Sequence, residues 1–160
     1  MHQPAPDHPR SNAIWRPDVT VACIVPNAGK FLLVEENVRG ARVLNQPAGH
    51  LEPRESLPFA ALRETREETG WDVDLTHLVG IYQWANDDGA FLRFTFAAEP
   101  VHHDPARPLD AGIVRAVWMT REEVAASRNL RSPMVLRGID DYLDGKRSEL
   151  TSLACLLDIP

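Results

Sequence analysis

At 160 residues, with 44% apolar and 25% charged side chains, the chain has the length and composition of one globular domain with a core of its own. A net charge of −6 and a pI near 5.5 argue against the basic face that nucleic-acid polymers and anionic membranes require. No run approaches the ~20 apolar residues of a membrane helix, and nothing at the start resembles a secretion signal, so a cytoplasmic protein is expected.

Residues 1–12 hold prolines at 4, 6 and 9 and little to bury, so they are expected to form a disordered tail with His2 and His8 in solvent; residues 13–160 are expected to form a single domain. Residues 19–25 are almost continuously apolar and β-branched, which predicts a buried strand. Asn27-Ala28-Gly29-Lys30 is a turn, and residues 31–34 form the returning strand. A polar loop with Pro47 and Gly49 follows. Ser56 is a plausible N-cap with Pro58 in the first turn, and Gly70 fits the position just past a helix end. These bracket a helix of about 13 residues, with Pro58, Ala61, Leu62 and Thr65 on the predicted core face.

Strands are predicted near 71–75, 78–84 and 91–98, the last two joined by a turn at Asn86-Asp87-Asp88-Gly89, and again at 113–119. Thr120 and Glu123 form a capping box; Ser132-Pro133 opens another helix that Gly145 closes. Residues 150–157 are an apolar tail that must dock, either over the domain or on a second subunit, so a monomer or a homodimer fits. Cys23 and Cys155 form no metal or redox motif and are expected to be reduced and structural. Interspersed strands and helices predict an α/β (α+β) sandwich with a mixed sheet between helices.

The chemistry is concentrated in Arg63-Glu64-Thr65-Arg66-Glu67-Glu68. On a helix Glu64 neighbours both Glu67 and Glu68, and like charges at that spacing each cost a few tenths of a kcal/mol. Glu67 and Glu68 also lie in the last turn, where the helix dipole disfavours acid by roughly 0.3–1 kcal/mol each. Arg63 offsets part of this through Glu67. The bland reading is a solvated acidic face. The functional one is a Mg²⁺ site, since that ion takes oxygen ligands from a few carboxylates and substrate phosphates.

Context decides between them. Gly49, Glu55, Arg63, Glu64, Glu67, Glu68 and Gly70, followed by Trp71, fall at the spacing G-x5-E-x7-R-E-U-x-E-E-x-G-U, where U is bulky and apolar. This resembles the signature box of the Nudix hydrolases. Seven identities at roughly 7% background agree by chance on the order of 10⁻⁸ per window. Thr65 departs from the box at its first U; it has the size of Val, but its hydroxyl needs a partner. Further segments, Val19-Thr20-Val21-Ala22-Cys23, residues 45–52, Phe91-Leu92-Arg93-Phe94 and residues 129–133, resemble a bacterial phosphatase subfamily of that family.

The resemblance implies the Nudix fold and hydrolysis of a small-molecule phosphoanhydride with Mg²⁺ or Mn²⁺. The subfamily implies nucleoside tri- and diphosphates and thiamin-related pyrophosphates, including hydroxymethylpyrimidine pyrophosphate, with orthophosphate released. Residue by residue, it makes Glu67 and Glu68 the main metal ligands, Glu64 a further ligand or the base that activates water, and the Gly49 carbonyl another candidate ligand. Arg63 would orient the glutamates, with Glu55 as its structural partner or a metal contact. Glu99, near a strand end, is a candidate acidic ligand or else a solvent-facing residue. Arg93 breaks an apolar strand and could meet a phosphate or a surface carboxylate; Trp84 reads as a core aromatic or a stacking platform; His50 as a phosphate contact or a turn cap. Two alternatives remain: a Nudix pyrophosphatase that splits an internal anhydride such as that of ADP-ribose, and a non-catalytic binding module, against which the retained box glutamates weigh.

Overall fold

The computed structural model describes residues 14–87 and 89–157. The expected disordered tail 1–12 and Asp88 of the expected turn lie outside the described residues. The elements run β1 (Asp18–Ile24), β2 (Pro26–Asn27), β3 (Lys30–Val38), β4 (Ala41–Asn45), β5 (Ala48–His50), α1 (Leu57–Thr69), β6 (Trp71–Asn86), β7 (Gly89–His103), β8 (Ile113–Thr120), α2 (Arg121–Ala126) and α3 (Met134–Leu143). One sheet has the order β5-β1-β7-β6, with β1 parallel to β7 and the other pairs antiparallel; a second joins β2, β3 and β4, with β8 on the other edge of β3. This is the expected mixed α+β class.

Strand periodicity splits the core. Val21, Cys23 and Val25 turn towards Ala60 and Ala61 of α1, while Ile24 joins Val124 of α2 and Val135 and Ile139 of α3. Helices therefore cover the central strands from both sides. Phe96, Leu32 and Leu33 are among the fully buried side chains, each stabilising by about 1.5–3 kcal/mol. Cys23 is buried in the first layer and its thiol is pushed up to about 12 by burial; Cys155 is exposed, so it has no structural role in the core.

Helix α1 begins where its caps dictate. Ser56 Oγ accepts from the Phe59 N–H at 3.2 Å, and Gly70 takes the left-handed conformation, φ 73°, donating its N–H to the Arg66 carbonyl at 2.9 Å. The buried face is rotated from the expected one. It comprises Ala60, Ala61, Glu64, Thr65, Glu68 and Thr69, while Leu62 is exposed along with Phe59. Two alanines let the helix approach the sheet closely, and this rotation turns Glu64 and Glu68 inward. The Thr65 hydroxyl finds its partner by donating to the Ala61 carbonyl at 2.8 Å.

Other differences have local causes. The two predicted strands at 71–84 are one strand, β6, whose register shifts near Leu75–His77 and Leu78–Gly80 interrupt the alternation. The loop predicted before α1 contains β4 and β5, which are too short and polar to show periodicity. The first part of the tail packs on its own domain: just before it Ser148 and Leu78 exchange backbone hydrogen bonds at 2.9 Å, and Leu150 and Leu153 pack on the core, while Leu156 is exposed. No helix among the described residues is long and apolar enough to cross a membrane.

Candidate active site

Strand β5 sets the site's floor. Its pairing with β1 places Gly49 opposite Val21 and beneath α1. A Cβ on Gly49 would fall on the Glu64 carboxylate, so glycine here leaves that carboxylate its place. Beside it, Glu68 Oε2 accepts the Ala48 N–H at 2.8 Å.

Arg63 ties the glutamates together. Its Nε and Nη2 donate to the two oxygens of Glu55 at 3.0 and 2.7 Å, a bidentate pair. Its Nη1 donates to Glu64 Oε1 at 2.8 Å and Glu67 Oε2 at 3.1 Å, and Nη2 also reaches the His50 carbonyl at 3.2 Å. Glu55 is fixed in turn, accepting the Glu52 N–H at 2.7 Å, and the hydrogen bonds from Arg63 hold its carboxyl below the usual range despite partial burial.

Three acids converge. Oxygens of Glu64, Glu67 and Asp110 lie within 4.8 Å of one another. Asp110 comes from the loop between β7 and β8, which is fastened to the helix by the Asp110 N–H donating to the Glu67 carbonyl at 3.0 Å. Burial pushes the Glu64 carboxyl up, against the pull of Arg63. Burial also pushes Glu68 up to about 8, with Glu64, Glu36 and Asp110 adding repulsion. Such crowding is unfavourable without a cation. An all-oxygen donor set with partly desolvated carboxylates fits a hard divalent ion such as Mg²⁺ or Mn²⁺.

These residues line a cavity of about 460 Å³ that also holds Trp84, Phe91 and Arg93. Arg93 is buried, donating to Thr20 Oγ1 at 3.4 Å and Asn45 Oδ1 at 3.3 Å. The Trp84 and Phe91 rings stack at 5.6 Å, so Trp84 belongs to the cavity wall. His50 stands at the mouth, exposed, 3.7 Å from Asp18. Glu99 does not join them. Strand β7 runs on to His103, and six residues carry Glu99 ~20 Å beyond Arg93, to an exposed position in a separate groove beside His77 and Tyr142.

Asp110, Glu36 and Asn45 enter the cavity from distant parts of the chain without any local pattern that marks them. Arg131, 3.7 Å from Glu36, lines the same wall, with Ser132 and Met134 at the start of α3.

Comparison with known proteins gives a consistent result. The NUDIX domain family matches residues 15–137. Phosphatase NudJ of Escherichia coli K12 is 46% identical over 138 residues, 86% of this chain and 90% of NudJ. The structure of a NUDIX hydrolase from Nitrosomonas europaea superposes with a TM-score of 0.85 at 47% identity, covering 88% of this chain and 97% of that one. An ADP-ribose pyrophosphatase from Streptococcus suis superposes with a TM-score of 0.66 at 17% identity, over 84% and 95% of the two chains, a likeness of fold alone.

Proposed function

This chain belongs to the NUDIX family and is a hydrolase of phosphorus-containing acid anhydrides, and from that membership we propose a divalent-metal-dependent phosphatase that releases orthophosphate. Its proposed substrates are nucleoside tri- and diphosphates and thiamin-type pyrophosphates, including hydroxymethylpyrimidine pyrophosphate. The similarity to phosphatase NudJ supports that class. The proposed setting is the cytoplasm, as a monomer or homodimer. The observation that carries the reading is the convergence of Glu64, Glu67 and Asp110 in the cavity that also contains Arg93 and Trp84.

Glu64, Glu67, Asp110 and Glu68, with the Gly49 carbonyl, would hold Mg²⁺ or Mn²⁺. Bound there, the cation supplies charge neutralisation at the phosphoryl oxygens and lowers the pKa of a coordinated water. Arg63 occupies Glu64 Oε1, so Glu64 would act through Oε2, either as a further ligand or as the base that takes the proton of the attacking water. Water oxygen bonds to the terminal phosphorus, the bridging P–O bond breaks, and orthophosphate leaves with the shortened phosphate ester. Arg93, Trp84 and His50 face the substrate. Glu55 acts through Arg63, and Gly70 ends the helix that carries the glutamates.

The test is a panel of nucleotides, thiamin pyrophosphates and ADP-ribose, with orthophosphate, pyrophosphate and monophosphate products measured separately. Orthophosphate release that stops in excess EDTA, returns with Mg²⁺ and falls by orders of magnitude in Glu67→Gln supports the reading. Two monophosphate esters from ADP-ribose as the main products, or full activity after chelation, refutes it.

A further inference from the structure

Arg93 is a buried cation that forms no ion pair among the described residues. It sits on central strand β7, paired through the backbone with Thr20 of β1 and Tyr82 of β6. Of the five N–H donors of its guanidinium, two are used among the described residues, in long hydrogen bonds to the neutral oxygens of Thr20 and Asn45. Among the described residues no carboxylate oxygen forms an ion pair with it, whereas Arg63 nearby touches Glu55, Glu64 and Glu67. Burial pushes the guanidinium down to about 10, and Glu36 and Glu68 offset this from a distance. Desolvating a charge this far is unfavourable unless something supplies the counter-charge. The side chain lines the cavity, so the ligand can supply it.

The ladder fixes what such a ligand looks like. Phe91 lies two residues before Arg93 on the same face of β7, about 7 Å away, and opposite Phe91 stands Trp84. Stacked rings, a guanidinium and the carboxylate group therefore share one cavity. Arg131 and the start of α3, whose first turn carries no acid, border the same space.

We propose that Arg93 grips the phosphate that stays on the ring-bearing product, so that the aromatic pair and this guanidinium together form a binding site for aromatic-ring monophosphates that is independent of the metal. The inference rests on reading the cavity as the substrate site. It assigns Arg93 to the retained ester phosphate rather than to the phosphoryl group under attack, and it makes the monophosphate product of diphosphate and pyrophosphate substrates a competitive inhibitor.

The test uses the full chain in EDTA, with uridine 5′-monophosphate and uridine as probes, measured by calorimetry and by thermal shift. Wild type binds the monophosphate at least tenfold more tightly than the nucleoside. Arg93→Met loses that preference, leaves nucleoside binding unchanged and melts no lower than wild type, since an unpaired buried charge has been removed. Trp84→Leu weakens both probes alike. Equal affinity of wild type for the two probes overturns the proposal without recourse to any variant. So does an Arg93→Met protein that melts several degrees lower yet keeps the monophosphate preference, which marks Arg93 as structural. Because neither probe contains an anhydride bond, the outcome separates from the reaction assay: loss of orthophosphate release with intact monophosphate binding sinks the phosphatase reading alone.

Discussion

The carboxylate of Glu64 occupies the space that a side chain on Gly49 would fill. The contact couples a strand position to a helix position, and it makes residue 49 a determinant of where Glu64 points. Gly49→Ala must displace the carboxylate or the strand. Activity is expected to fall about 100-fold, the scale of a misplacement near 1 Å, with about 1 kcal/mol of stability lost, the low end for overpacking, because the displaced group is the end of a flexible side chain. Steady-state kinetics and urea unfolding on the same variant check both figures.

Arg63 is expected to resist its conservative replacement. Lysine cannot reproduce the paired hydrogen bonds to Glu55 while also reaching Glu64 and Glu67. Arg63→Lys should lower kcat by about 10–100-fold, as disturbed outer-shell partners commonly do. Glu55→Gln should act in the same direction, and the double variant should lose less than the two single losses combined.

Asp110 is the ligand candidate that the helix does not carry. Asp110→Asn removes one charge from the group within 4.8 Å, so the Mg²⁺ concentration for half-maximal activity should rise about tenfold or more, roughly 1.4 kcal/mol. A metal titration at saturating substrate reads this directly; an unchanged midpoint removes Asp110 from the site.

The site residues were unequally legible. Glu64, Glu67 and Glu68 lie within about one turn of one helix, three and four residues apart, so spacing alone grouped them. Arg93 stood out because it interrupts an apolar strand, although nothing local showed it to be buried. Asp110 lies in an irregular loop whose course is set by backbone bonds to Glu67 and neighbouring residues, which no periodicity records. Glu99 misled because the length of β7 could not be judged from where its apolar residues stop. Leu62 misled in a similar way: hydrophobic periodicity placed it inward, but the turn of α1 that buries Glu64 and Glu68 leaves it outside.

Another buried carboxylate, far from the glutamates, contributes to the acid limb of stability. Asp141 accepts from Lys146 Nζ at 2.7 Å, Arg137 Nε at 2.9 Å and the Tyr82 hydroxyl at 2.9 Å. Burial pushes its carboxyl up, but these three donors outweigh burial and hold it below the usual range. A depressed folded-state value means stability that is present above the unfolded value, about 3.9, and is lost as pH falls through the folded one. Asp141→Asn should cost about 1–3 kcal/mol at pH 7. The gap from wild type should close below about pH 4, as urea titrations across pH will show.

The parallel alignment of β1 with β7 carries a cost in time. Asp18 pairs with Phe91 and Ile24 with Ala97, so the ribosome must deliver the whole helical box before the central strand meets that neighbour. Until then β1 can pair only with β5, leaving an apolar edge open in the nascent chain. Non-local pairing of this kind slows folding, and a chain grown only as far as α1 lacks the strand that covers that edge.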